Sequence, residues 1–167
     1  HFPVNLDYML STKEFVELEA EGEFILNGLS IYNKRMRHPG GSFGYRIEEK
    51  GRVFCFTSDC EFNLDEVDNL ESYEKFFAGA DVCVFDAQYT FEEQINKIDW
   101  GHSSASIAID IALRFGVKRL ILWHHDPSYP DAKLEGVLAN ARSYLAMNRR
   151  HANLEIDIAL EGSVIEI

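Results

Sequence analysis

Four short polar clusters could do chemistry, and each follows a stretch that predicts a β-strand. They are His38 in HPGG, Asp59 in TSDCE, His102 in WGHSS, and WHHDP, which begins at Trp123. Loops after strands present reactive groups from a rigid scaffold. A His, an Asp and a His in this order form a donor set suited to zinc, manganese or iron.

Each cluster by itself also has a structural interpretation. A loop His before Pro, such as His38, ordinarily faces solvent, and Asp59 at a strand end can cap a turn. His102 lies at a helix start, where it can cap the helix or donate a proton to an anion held by free N–H groups. His124, His125 and Asp126 place many polar atoms at the end of a buried strand, which favours a metal site over an exposed loop.

The number of candidate ligands is too small for a two-metal centre, which takes about five or more protein donors. No H-x-H segment occurs among the 167 residues, and the chain begins at His1 without an initiating Met. We therefore expect the chain to start inside a longer protein.

Composition limits the classes of protein that are possible. A length of 167 residues suits one domain with a sizeable core, and no apolar run is long enough to span a membrane. The net charge of −12 argues against a general nucleic-acid binder. The three cysteines form no C-x-x-C pair, which predicts reduced thiols in a cytoplasmic protein, with Cys55 and Cys83 in the core.

Strand-like segments dominate the first half, and strands alternate with helices in the second. The predicted strands of the first half are 15–18, 24–26, 29–36, 43–48 and 53–57, with a hairpin turn at 19–22. The second half predicts helix 73–78, strand 82–85, a helix from Ser103 or Ser104 to Phe115 ended by Gly116, strand 117–123, a long helix from Pro130, and strands 154–160 and 164–167. This order predicts an α/β sandwich in which helices cover a sheet.

The clusters, taken together, resemble the metallo-β-lactamase superfamily, and within it the phosphodiesterase-type branch that includes the tRNA 3′-end processing endoribonuclease. The resemblance covers residues 29–127 and rests on HPGGSFGYRIEE, FTSDCE and LILWHHD. It implies an α/β fold: residues 1–167 would be a single domain that forms the C-terminal half of an αββα metallo-β-lactamase sandwich. The family's H-x-H-x-D-H segment would lie upstream.

The resemblance also implies roles for individual side chains. His38 would hold one divalent metal ion, Asp59 would bridge, and His124 would hold a second ion, each ion being zinc, manganese or iron. Asp86 in FDAQYT, where the RNA-processing enzymes usually have Glu, would orient His102 in GHSSASIA as a general acid. The residues after His124 would orient the ligating histidines; they are His125 and Asp126.

The implied function is a metal-dependent hydrolase that acts on a phosphodiester or a related small ester. A large nucleic acid is an unlikely partner on this interpretation, because the chain is acidic and has no visible RNA-clamping arm. The alternative is a non-catalytic ligand-sensing or assembly module of the same fold, and the residues before His1 would distinguish the two. Half a sandwich leaves a sheet face and an edge uncovered, so we expect a homo-oligomer or an upstream segment to cover them.

Overall fold

Seven β-strands form one sheet in the computed structural model, which describes residues 15–63, 70–147 and 153–167. The strands, in both chain and sheet order, are β1 (Glu23–Leu26), β2 (Leu29–Met36), β3 (Ser42–Glu49), β4 (Arg52–Phe56), β5 (Val82–Asp86), β6 (Arg119–Trp123) and β7 (Glu155–Ile158). The helices are α1 (Glu74–Phe77), α2 (Phe91–Ile95), α3 (Ala105–Phe115) and α4 (Asp131–Met147).

The first four strands are antiparallel, and two of their connections are two-residue turns. Asn27-Gly28 joins β1 to β2, and Lys50-Gly51 joins β3 to β4. All four turn residues have positive φ, from 50° to 87°. This is the conformation that lets a two-residue turn follow the right-handed twist of a hairpin.

The direction of the strands brings the polar clusters to one edge. β2 and β4 are both antiparallel to β3, so they run the same way, and β4 to β7 are parallel. The carboxyl ends of β2, β4, β5 and β6 therefore meet at the same edge of the sheet, where parallel α/β sheets place their ligand sites. His38, Asp59, Asp86 and His124 lie at or just after these four ends.

The helices pack on one face of the sheet. α1 contacts β2 and β3, α3 contacts β5 and β6, and α4 contacts β7. On the opposite face, apolar side chains such as Ile47, Phe54, Phe56 and Val84 are only partly buried. That a second copy or an upstream segment covers this face stays a prediction.

Most of the predicted elements are confirmed within one to three residues, but two predicted strands are wrong. Residues 15–18 form no strand, and Phe15 is 74% exposed; the first hairpin turns at Asn27-Gly28, not at 19–22. Residues 164–167 form no strand either, and Val164 is 89% exposed. Both runs have strand-like composition, but no strand among residues 15–63, 70–147 and 153–167 pairs with them. The short helix α2 was not predicted.

Cys55 and Cys83 are free and buried in the core, as predicted, and burial raises the pKa of both thiols. No helix in the described ranges has the length and apolarity needed to cross a bilayer. The cytoplasmic location stays a prediction.

Glu93 joins α2 to the start of α4. Its carboxylate accepts hydrogen bonds from the Thr90 amide and hydroxyl, both at 2.9 Å, from Lys133 Nζ at 2.8 Å, and from the Tyr129 hydroxyl. Partial burial disfavours the charge, but these bonds, the one from Lys133 foremost, outweigh it and lower the pKa of Glu93 to about 2. The folded state therefore favours the ionised form.

We expect Glu93 to make stability depend on pH at the acidic end. Its contribution is fully present above the ordinary glutamate pKa near 4.5 and is lost as pH falls toward about 2, because only the folded state resists protonation. Glu93→Gln should lower the free energy of unfolding by about 1 kcal/mol at pH 7 and by less at pH 3. Urea denaturation at both pH values measures this, with exposed Glu92→Gln as the control; an equal loss at both pH values would contradict it.

Candidate active site

Asp59 lies between two histidines that come from other strands of the sheet. Its Oδ2 lies 4.0 Å from His38 Nε2, and its Oδ1 lies 3.6 Å from His124 Nε2. The structure thus brings together the three side chains for which the sequence predicted metal binding. Each oxygen of one carboxylate faces a different imidazole, which is the arrangement expected of a carboxylate shared between two cations.

A third histidine completes the cluster. The His102 ring stacks on His124, with centroids 4.9 Å apart and planes at 26°, and meets the His38 ring edge-on at 5.4 Å. Donor atoms of His38, Asp59 and His102 all lie within 4.8 Å of one another, a spacing that could hold a metal ion. Among the described residues, the three-donor group at this spacing therefore includes His102, for which the resemblance implied proton transfer, and not His124.

The predicted pair of Asp86 and His102 forms. His102 Nδ1 lies 2.7 Å from Asp86 Oδ2, which leaves Nε2 as the ring's remaining polar atom. Asp86 is fully buried, and it accepts further hydrogen bonds from the amides of Cys60 at 2.9 Å and Gln88 at 3.1 Å. Because these bonds come from the loops after β4 and β5, the carboxylate is fixed relative to the rest of the cluster.

Burial of Asp86 and the negative charges around His102 favour a proton on the Asp86–His102 pair. Burial raises the pKa of Asp86, against the opposing effect of the bonds from His102 and the Cys60 amide. Burial pushes the pKa of His102 down, but the hydrogen bond to Asp86 and the negative charges of Asp86 and Asp59 outweigh it and raise the pKa overall. His102 therefore holds its proton at higher pH than an ordinary imidazole, which suits a proton donor.

Unusual backbone conformations occur in the same loops. His124 and Ser58 adopt left-handed φ values of 61° and 55°, which are uncommon outside glycine and concentrate at functional sites. Gly101 has φ 94°, and a Cβ there would lie 2.2 Å from His38 Cδ2. A side chain at position 101 would displace His38, so this glycine is required for the cluster to form.

Comparison with known proteins decides the family. The family described as the beta-lactamase superfamily domain matches residues 12–125. The chain belongs to this superfamily. It is 29% identical over 118 residues to a ribonuclease Z of Bacillus cereus, a match that covers 71% of this chain and 34% of that protein. The chain thus spans about a third of the length of that relative.

Solved structures confirm the metallo-β-lactamase fold. The metallo-β-lactamase fold protein YhfI from Bacillus subtilis has a TM-score of 0.70 at 18% identity, over 92% of this chain and 57% of that one. The short form of human tRNase Z has a TM-score of 0.61 at 23% identity, over 86% and 44%. The family match and the sequence similarity to ribonuclease Z confirm the predicted relation to the branch that includes the RNA-processing enzymes. The same names count against the expectation that a large nucleic acid is an unlikely partner.

Glu61 supports the site of this superfamily member, and the sequence analysis missed it. Its carboxylate is 1% exposed and accepts hydrogen bonds from the amides of Asp99 and Gly101, both at 2.8 Å. These bonds fix the loop that presents Gly101 and His102 to His38. An acidic residue in the TSDCE segment was the only signal available, and its burial could not be inferred from local sequence.

We expect Glu61→Gln to destabilise the fold by about 2 kcal/mol. The side-chain NH2 of glutamine would face one of the two backbone N–H groups, of Asp99 or Gly101, that donate to Glu61, and that N–H group would lose its acceptor. Urea denaturation of the protein carrying this chain measures the change in the free energy of unfolding. Exposed Glu71→Gln is the matched control and should change stability little. Equal stabilities for the two variants would contradict the anchoring role of Glu61.

The two residues after His124 do not act as the sequence suggested. Asp126 accepts hydrogen bonds from the Ser128 amide at 2.9 Å and hydroxyl at 2.6 Å, so it stabilises a turn. His125 has both ring nitrogens buried without a hydrogen bond to any described residue, and burial lowers its pKa. The carbonyls of Ala87 and Leu122 favour its protonated form but do not reach hydrogen-bond geometry. Asp86, not Asp126, is the carboxylate that orients an imidazole.

Proposed function

We propose that the protein carrying this chain is a metal-dependent hydrolase of phosphodiesters. The observation that supports this most directly is the Asp59 carboxylate, which faces His38 with one oxygen and His124 with the other. His102, whose Nδ1 is hydrogen-bonded to the buried Asp86 carboxylate, stacks on His124. The ribonuclease names of the relatives support phosphodiesters as the substrate class.

The donors fit divalent ions such as zinc, manganese or iron, because imidazole nitrogen and carboxylate oxygen are the ligands these ions take. His38 and His124 would each hold one ion, and Asp59 would be shared by both. When bound, the ions supply Lewis-acid stabilisation of the charge that builds up on the attacked phosphate. Three donors are fewer than two ions take, so the proposal requires further ligands besides His38, Asp59 and His124.

His102 would protonate the leaving-group oxygen of the phosphodiester. Asp86 engages Nδ1 and fixes the ring, so the proton available to substrate is the one on Nε2. Against the lowering effect of burial, the hydrogen bond to Asp86 raises the pKa of His102 and so favours the protonated form that a proton donor needs. A positioned general acid of this kind contributes about 100- to 10,000-fold to the rate.

Hydrolysis of bis(p-nitrophenyl) phosphate by the protein carrying this chain tests the proposal. We expect turnover that a chelator abolishes and that added zinc or manganese restores, because the bound ions stabilise the transition state. Turnover that survives complete removal of metal would contradict the proposal. Tight metal binding without hydrolysis of any phosphodiester would favour the ligand-sensing module instead.

A further inference from the structure

A cleft of about 310 Å³ opens beside His38, and its walls include Arg35, Arg37, Glu61 and Asp99. We propose that this cleft binds a second phosphate of the substrate, separate from the phosphodiester that is cleaved. The inference rests on the proposed function, because His38 belongs to both the cleft and the metal-binding cluster. The volume is sufficient for a phosphate group with its hydration water.

Arg35 supplies the charge that the cleft has available. It lies near the end of β2, two residues before Arg37, and both residues line the cleft. Arg35 is exposed, and the described part of the chain gives it no ion-pair partner. A guanidinium matches the oxygens of a phosphate with two parallel hydrogen bonds, which an ammonium group does not do.

Arg37 is already held in position. Its Nη2 lies 2.6 Å from Asp99 Oδ1, and the Asp99 amide donates to buried Glu61 at 2.8 Å. The guanidinium is therefore anchored through two bonds to the core of the site. A side chain that is ordered before binding loses less entropy when an anion arrives, so Arg37 provides geometry while Arg35 provides unneutralised charge.

The charge of the whole chain makes this cleft selective. A net charge of −12 repels anions over most of the surface, while metal ions would attract one phosphate to Asp59 and the histidines. Asp99 balances Arg37, and the Glu61 carboxylate in the wall is taken up by two backbone amides, so Arg35 is the guanidinium that a second phosphate would meet. A diester with one more phosphate therefore gains binding energy that a simple diester lacks.

A matched pair of substrates tests this inference in the metal-loaded protein. The first is the 5′-(p-nitrophenyl) ester of thymidine 3′,5′-bisphosphate, and the second lacks the 3′-phosphate. We expect Arg35→Gln to raise KM for the first about tenfold with little change in kcat, and to leave the second unchanged. Arg52→Gln makes the same charge change at the far end of β4 and should alter neither. Equal effects of Arg35→Gln on both substrates, or none, would overturn the inference.

A binding measurement separates this inference from the proposed function. Calorimetry with thymidine 3′,5′-bisphosphate in the presence of a chelator reports the cleft without catalysis. Weaker binding in Arg35→Gln than in Arg52→Gln, in a protein that hydrolyses no diester, would support the cleft and contradict only the proposed function. Hydrolysis with no Arg35 dependence would contradict only the cleft, and absence of both hydrolysis and binding would contradict both.

Discussion

Replacing His102 with alanine is expected to lower kcat for an alkyl phosphodiester by about 100- to 10,000-fold. The same change should cost much less with a p-nitrophenyl ester, because p-nitrophenolate leaves without needing a proton. The reason lies in the geometry: Asp86 holds Nδ1 at 2.7 Å, so Nε2 is free to serve the leaving oxygen. Steady-state kinetics on the two esters, with the protein carrying this chain, measure the difference.

The Asp86→Asn variant should reproduce the leaving-group pattern in weaker form, because the amide cannot supply the charge that raises the pKa of His102. Asp110→Asn is a matched control, since Asp110 is another partly buried aspartate whose hydrogen-bond partner is Tyr144, at 3.0 Å. It should leave both rates intact. Loss of bound metal in His102→Ala, with equal slowing of both esters, would instead make His102 a ligand, as its place in the compact donor group allows.

The Asp59→Asn variant is expected to lose about 1,000-fold or more in kcat/KM on every phosphodiester, whatever the leaving group. The two Asp59 oxygens lie 4.0 Å from His38 Nε2 and 3.6 Å from His124 Nε2. The neutral amide of asparagine has only one oxygen and no negative charge, so it could not be shared by two ions as the carboxylate would be. The independence from leaving group separates this effect from that of His102.

Asp126→Asn is the control for the loss of one negative charge near the site. Asp126 stabilises a turn with Ser128 and does not belong to the group of His38, Asp59 and His102 donors, so activity should stay within a few fold of the wild type. An Asp59→Asn variant that is as active as Asp126→Asn would remove the reason for placing a metal at this carboxylate.

The convergence of the site could be predicted because it depends on strand ends. Short apolar runs marked β2, β4, β5 and β6, and polar residues followed each of them. Since those strands run the same way, their carboxyl ends share an edge, and residues far apart in sequence meet there. The elements that carry His38, Asp59, Asp86 and His124 were therefore identifiable without knowledge of the packing.

The supporting groups could not be predicted, because their roles arise from tertiary contacts. Nothing local distinguishes buried Glu61 from a solvated acid, and nothing marks Gly101 as the position where His38 approaches the backbone. The failed strands at 15–18 and 164–167 have the same origin, since a strand exists only where a neighbour pairs with it.

Net charge was a poor guide to partners for a related reason. The value of −12 describes the whole chain, whereas a substrate meets the local field of the site. Around His38 that field includes Arg35 and Arg37 as well as Glu61 and Asp99, so it does not follow the net charge of the chain, and bound cations would make it more positive. An acidic net charge therefore does not by itself exclude phosphate binding at one place.

Metal content is the most direct test of the central claim. Elemental analysis of the purified protein carrying this chain should find divalent metal, with His38→Ala and His124→Ala each losing about one ion and Asp59→Asn losing the most. Metal content equal to that of the unmodified protein in all three folded variants would show that these side chains do not hold a metal ion.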